Sequence, residues 1–170
     1  MKKLFTLFFA GIITITANSQ GLDFDGSDDY VRLPGHPSVM NGSPFTFEAS
    51  IKPRPSGSQI ISIATRGSGD PFYLYIEPMG GGMPGMPGMG GGPTSWMIMC
   101  DLWNTTYQLH RAHYVIDGSF FNNWHHIAAG YTGSQWTLYI DGVAVSTVPF
   151  TGVLGNMSAQ PLYLGTYQNM

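Results

Sequence analysis

The sequence predicts an all-β fold, a sandwich or barrel of short strands, and three observations carry that expectation. Apolar residues outside the N-terminal segment recur with period two, and no useful window there keeps a 3.6 period. Twenty-three glycines and twelve prolines punctuate short runs, as turns between strands require. An Asp-Gly pair stands between two apolar runs, the favoured two-residue hairpin signal, because both central positions of that turn need φ > 0.

The elements follow in order. Lys2 and Lys3 are a basic n-region, and Leu4 to Ile15 form an apolar stretch of the length an export signal needs. Ala17-Asn18-Ser19 then offers small residues at the positions a signal peptidase reads, so residues 1–19 are expected to be removed and 20–170 to form one domain. The apolar stretch is too short to span a bilayer. Phe45, Phe47, Ala49 and Ile51 alternate with Thr46, Glu48, Ser50 and Lys52, which puts one face toward a core. Pro53 and Pro55 end that strand, since neither donates to a ladder. Ile60 to Ile63, Phe72 to Ile76 and Trp96 to Leu102 are the next strands, and Trp136 to Ile140, Asp141-Gly142 and Val143 to Val148 form a hairpin.

Between two of these strands, residues 79–93 consist wholly of Met, Gly and Pro. Glycine raises the entropy lost on ordering and proline removes donors, so a disordered hairpin tip is expected. The alternative is a soft-metal site in which Met79, Met83, Met86 and Met89 present thioethers, although no His or Cys stands near them in sequence.

Composition excludes several classes of partner. Net charge is −3, with three Lys and four Arg scattered along 170 residues. No basic patch speaks for nucleic acid or an anionic membrane surface, and no later stretch looks membrane-spanning. Cys100 is the single cysteine, so no internal disulfide framework exists.

Five stretches, taken in order, carry a resemblance: Leu22 to Val31 (LDFDGSDDYV), Phe45 to Lys52, Asn123 to Ala128 (NWHHIA), Leu138 to Val143 (LYIDGV) and Leu162 to Gly165 (LYLG). Together they resemble the concanavalin A-like, laminin G-type jelly-roll domains of secreted bacterial proteins. The resemblance implies an antiparallel jelly-roll sandwich with Leu22 to Val31 as its opening strand pair. It also implies a further strand of Gly-x-Ile-Asp-Glu-[Val/Ile]-Arg type after Leu162 to Gly165. The sequence reaches Met170 first, so a domain cut before its closing strand is expected, with an open edge on its first strand.

No catalytic residue is expected. Glycoside hydrolysis needs two carboxylates flanking one bond, and the two Glu present, Glu48 and Glu77, stand on separate strands without a partner at the right spacing. Lyases of this shape would want Tyr and His on one sheet, for which Tyr107, His110 and His113 are the candidates. His125 and His126 are adjacent on a strand and point to opposite faces, so they cannot chelate one ion. The resemblance gives Trp124 and one of these His residues a packing role. Asp23, Asp25, Asp28 and Asp29 crowd seven positions, and hard carboxylate oxygens suit calcium. Asp25 and Asp28 are the candidate ligands, against the plainer reading of a solvated Asx turn.

Exposed aromatics stacking on sugar rings, beside groups that bond hydroxyls, are what glycan binding requires. Trp103, Asn104, Tyr107 and Arg111 are the candidates, against the plainer reading that such aromatics fill the core. The expected role is a non-catalytic carbohydrate-binding or adhesion module of a secreted or cell-surface protein, with a glycan or a surface protein as partner. The alternatives are a structural or protein-interaction spacer, or an accessory module of a polysaccharide-active enzyme.

Overall fold

The structure, a computed structural model, describes residues 21–25, 28–35, 42–55, 60–66, 72–79, 95–155 and 159–165. The export segment, all but the first residue of the Gly/Met/Pro tract, and Gln168-Asn169 lie outside the described residues. Ten strands among the described residues form two antiparallel sheets. They are β1 (Val31–Leu33), β2 (Phe45–Ile51), β3 (Ile61–Arg66), β4 (Phe72–Met79), β5 (Ser95–Trp103), β6 (Leu109–Ile116), β7 (His125–Tyr131), β8 (Gln135–Ile140), β9 (Val143–Pro149) and β10 (Leu162–Leu164). The six-stranded sheet runs β1-β10-β3-β4-β5-β6 and the four-stranded sheet β2-β7-β8-β9. This is the all-β class that the alternation predicts, in the two-sheet jelly-roll form that the family resemblance implies.

The core lies between the sheets, where alternate residues of each strand meet. Phe72, Leu74 and Ile76 of β4, with Ile98, Cys100 and Leu102 of β5, are fully buried against Ile127, Ala129, Trp136 and Leu138 of the other sheet. Aromatic rings make up much of the contact. Trp136 sits 5.8 Å from Phe45 and 6.1 Å from Phe72, ring centre to ring centre. Its Nε1–H donates to the Cys100 carbonyl at 2.9 Å, which ties the two sheets through one side chain. Burial raises the Cys100 thiol well above its ordinary pKa, and neighbouring Asp101 adds to the effect, so the thiol stays neutral in the core.

Three elements differ from expectation. Leu22 to Asp25 is not strand; Phe24 instead packs over the end of β10, where a Cβ on Gly165 would come within 2.5 Å of its ring. Ile60 is exposed because a bulge between Ser62 and Ala64 shifts the register of β3 against β4. β6 had no clear signal, since His110, Arg111 and His113 interrupt its alternation.

The β8–β9 turn is as predicted, with Asp141 at φ 51° and Gly142 at φ 79°. Asp141 also holds the start of β7: its carboxylate accepts from His125 Nδ1 at 2.8 Å and from the His126 amide at 2.9 Å. The His125 bond first, then the amide, hold its pKa below the usual carboxylate range. A depressed folded-state pKa stabilises above the unfolded value and is lost as pH falls through the folded one. Asp141→Asn is therefore expected to melt below the wild type at neutral pH, with the gap closing as pH drops below about 4. A gap that stays constant down to pH 2, followed by thermal melts, would show that the charge is not what holds the turn.

Candidate functional site

Because the even-numbered residues of β4, β5 and β6 point mainly into the core, their odd-numbered neighbours form the outer face of the six-stranded sheet. Strand register then lines up one row across the whole sheet. Arg32 of β1 pairs with Tyr163 of β10, Tyr163 with Thr65 of β3, Thr65 with Tyr73 of β4, Tyr73 with Asp101 of β5, and Asp101 with Arg111 of β6. Six strands at the usual spacing make this row about 24 Å long. Arg32 Nε donates to the Tyr163 hydroxyl at 3.3 Å at one end.

The other end is an ion pair with a phenol. Arg111 donates to Asp101 through Nε and Nη2, both at 2.7 Å, and through Nη2 to the Tyr75 hydroxyl at 3.1 Å. Tyr75 in turn donates to Asp101 at 3.2 Å. The Asp101 side chain is only 6% exposed while that of Arg111 is 40% exposed, so the guanidinium caps a carboxylate that is otherwise cut off from water. Its hydrogen bond to Asp101 raises the pKa of Arg111 above its ordinary value, against an opposing effect of burial. Burial and then the charge of Asp101 raise Tyr75, with Arg111 opposing.

Beyond this pair the sheet ends in the β5–β6 turn, which Asn104 builds. Its side-chain oxygen accepts from the Thr106 amide (3.0 Å), the Thr106 hydroxyl (2.8 Å) and the Gln108 amide (2.9 Å). Its Nδ2 donates to Gln108 Oε1 at 3.2 Å and to the Thr151 carbonyl at 2.9 Å. The turn holds Tyr107 at φ 61°, with the residue 82% exposed. Asn104→Ala would leave those partners unpaired and is expected to cost about 2–3 kcal/mol. Gly152→Ala should injure the same turn from outside, since Gly152 has φ +83° and its Cβ would lie 2.7 Å from Asn104 Nδ2. Urea unfolding checks both; either variant unchanged within about 0.5 kcal/mol would contradict this role for Asn104.

The four predicted ligand residues thus separate. Trp103 is half-buried at the end of β5 on the outer face, diagonal to Arg111, with Tyr107 displayed on the adjoining turn. Asn104 is buried and spends its side chain on the turn, so it positions Tyr107 rather than facing a ligand. The lyase candidates do not converge: Tyr107 is on the turn, His113 on the outer face, and His110 buried, its Nδ1 donating to the Pro149 carbonyl at 3.1 Å.

His125 and His126 do point to opposite faces. His125 stacks on Phe120 at 3.9 Å, and His126 is exposed, 3.4 Å from Glu48. Trp124, expected to pack in the sandwich, is 64% exposed. The acidic opening does not assemble a metal shell from the described residues. Asp23 pairs with Arg54, the Asp25 amide donates to Asp29 at 3.2 Å, and Asp28 is exposed. No group of three or more His, Cys, Asp or Glu side chains among the described residues could hold an ion.

Sequence reasoning missed Arg32, Tyr73, Tyr75, Asp101 and Tyr163. The signal was present in Phe72-Tyr73-Leu74-Tyr75-Ile76 and in Cys100-Asp101-Leu102. Tyrosine counts as apolar in a periodicity test, which conceals a polar face on an alternating strand.

A family model described as the concanavalin A-like lectin/glucanases superfamily, of laminin G type, matches residues 25–170. No curated protein matches the sequence. Among solved structures, domains LG4-5 of the mouse laminin α1 chain are similar at 16% identity and TM-score 0.54, over 85% of this chain and 33% of that one. The binding domain of botulinum neurotoxin DC, in complex with SialylT, is similar at 11% identity and TM-score 0.57, over 79% and 31%. A polysaccharide lyase of family 18 is similar at 14% identity and TM-score 0.50, over 75% and 54%. The chain spans between about a third and about half of the length of these structures. The family match over the sandwich itself decides the assignment: this chain belongs to the concanavalin A-like lectin/glucanases superfamily, with a laminin G-like fold.

Proposed function

We propose that this domain is a non-catalytic carbohydrate-binding module of an exported protein, and that it binds on the outer face of the six-stranded sheet beside the β5–β6 turn. The observation that carries the reading is the grouping of Trp103, Tyr107 and Arg111 around one turn held by Asn104. Two aromatic rings offer stacking surfaces, and Arg32, Tyr73, Tyr163 and Arg111, the exposed or half-buried members of the row, offer polar groups for hydroxyls. The superfamily name joins lectins and glucanases, which supports carbohydrate as the ligand class. The basic and apolar residues before Gln20 support export. No helix among the described residues is long and apolar enough to cross a membrane.

The chemistry of the face supports binding without turnover. Glu77 lies opposite Met97, four residues along β5 from Asp101, so the two residues are offset by about 13 Å along the strands. Paired glycosidase carboxylates stand no more than about 9.5 Å apart. Tyr75 is a poor base for a lyase, because its pKa is raised rather than lowered and its hydroxyl already donates to Asp101. A glycan array probed with the full chain tests the proposal. Retention of a glycan at millimolar monovalent affinity is expected; no retention overturns binding, and turnover of laminarin, alginate or carrageenan overturns the non-catalytic reading.

A further inference from the structure

The methionine-rich character of the chain points to chemistry that glycan binding does not use. In sequence, the Met tract lacks a nearby His or Cys. Strand register supplies one from elsewhere. Met97 and Met99 are two apart on β5 and share the outer face of the sheet. His113 of β6 pairs directly with Met99 and stands diagonal to Met97, which pairs with Val115. Directly opposed residues have Cβ atoms about 4.5–5.5 Å apart and diagonal ones about 7–8 Å. Met79 extends the group on β4, since it pairs with Ser95 and is therefore diagonal to Met97.

We propose that Met97, Met99 and His113 form a binding site for a soft monovalent cation, Cu(I) or its analogue Ag(I). Thioether sulfur is a weak ligand for hard cations and a good one for Cu(I), and imidazole suits copper as well. Three ligands from two adjacent strands can converge on one ion, because each Met carries three rotatable bonds and a polarizable sulfur. His113 is exposed, Met97 half-buried and Met99 only 5% exposed, so an ion would enter from the His113 side and be held in a largely covered sulfur pair. The charges around the group favour a monovalent cation. Glu77 sits directly across from Met97, and Arg111, two positions from His113 on the same face, is already paired with Asp101. Cys100 takes no part, since it is fully buried on the opposite face of β5. The site is independent of the glycan reading and lies further along the same face from Trp103.

The test is a titration of the full chain with Cu(I), kept reduced by ascorbate, against the chromogenic chelator bicinchoninate. One equivalent is expected to be withheld from the chelator. Met99→Leu and His113→Gln should each weaken that binding by at least about tenfold, the effect seen even when groups outside a ligand set are removed. A variant with Met83, Met86 and Met89 all changed to Leu should retain it. Loss of the bound equivalent in that triple variant, or wild-type affinity in both Met99→Leu and His113→Gln, would overturn the proposal. Carbon-13 labelling of the methionine methyls gives a second readout with Ag(I): the Met97 and Met99 signals should shift first, and a first shift at Met83, Met86 or Met89 would contradict it. Thermal melts of each variant separate lost ligation from lost folding.

Discussion

Replacing Trp136 with alanine is expected to lower the unfolding free energy by about 3–5 kcal/mol. Its indole is fully buried where Phe45 and Phe72 meet between the sheets. Truncation removes both the ring contacts and the hydrogen bond to the Cys100 carbonyl. Trp136→Phe separates the two contributions. It keeps most of the packing and loses the donor, so it should cost roughly 1–2 kcal/mol. Urea unfolding measures both, and a phenylalanine variant as damaged as the alanine one would show that the hydrogen bond, not the packing, dominates.

Arg111→Ala is expected to cost more than Asp101→Ala, although both break the same pair. Without Arg111 the Asp101 carboxylate remains buried beside the Tyr75 hydroxyl without its counter-charge, a loss of about 3 kcal/mol. Without Asp101 the guanidinium is already 40% exposed and turns to water, so about 2 kcal/mol is expected. The double variant should cost less than the sum of the two, with a coupling energy between about 1 and 3 kcal/mol. Strict additivity would mean that the pair contributes nothing beyond its separate parts. The reverse order of the single variants would contradict the burial argument.

How much of this was legible before the structure depends on what each residue reveals by itself. Phe45 to Ile51 and the Asp141-Gly142 turn are local statements: alternation and backbone handedness fix them without reference to any distant segment. The outer-face row is not local. Arg32, Tyr163, Thr65, Tyr73, Asp101 and Arg111 come from six strands, and only the strand order β1-β10-β3-β4-β5-β6 brings them side by side. Asn104 illustrates a different limit. Its residue type suits both a ligand contact and a loop anchor, and the decision rests on Thr151, a partner 47 positions away. Trp124 and Trp136 show the same limit for aromatics. The sequence holds both as large apolar rings, yet one is exposed and the other is the centre of the core.

The scarcity of glutamate is legible in the sequence, whereas the place of Asp101 is not. Two glutamates on separate strands already make paired acid–base chemistry difficult, and Asp101, which enters the face only in three dimensions, is held by Arg111 and Tyr75.

The central claim is that carbohydrate binds beside the β5–β6 turn rather than on the opposite sheet, where Thr46, His126, Ala128, Gly130 and Tyr139 line a shallow depression. Calorimetric titration of the strongest array glycan into the full chain and three variants tests it most directly. Trp103→Ala and Tyr107→Ala should each weaken binding about tenfold, the equivalent of losing roughly 1.4 kcal/mol of stacking, while His126→Ala leaves it unchanged. Weakening by His126→Ala with wild-type affinity in the other two would contradict the assignment and place the ligand on the four-stranded sheet.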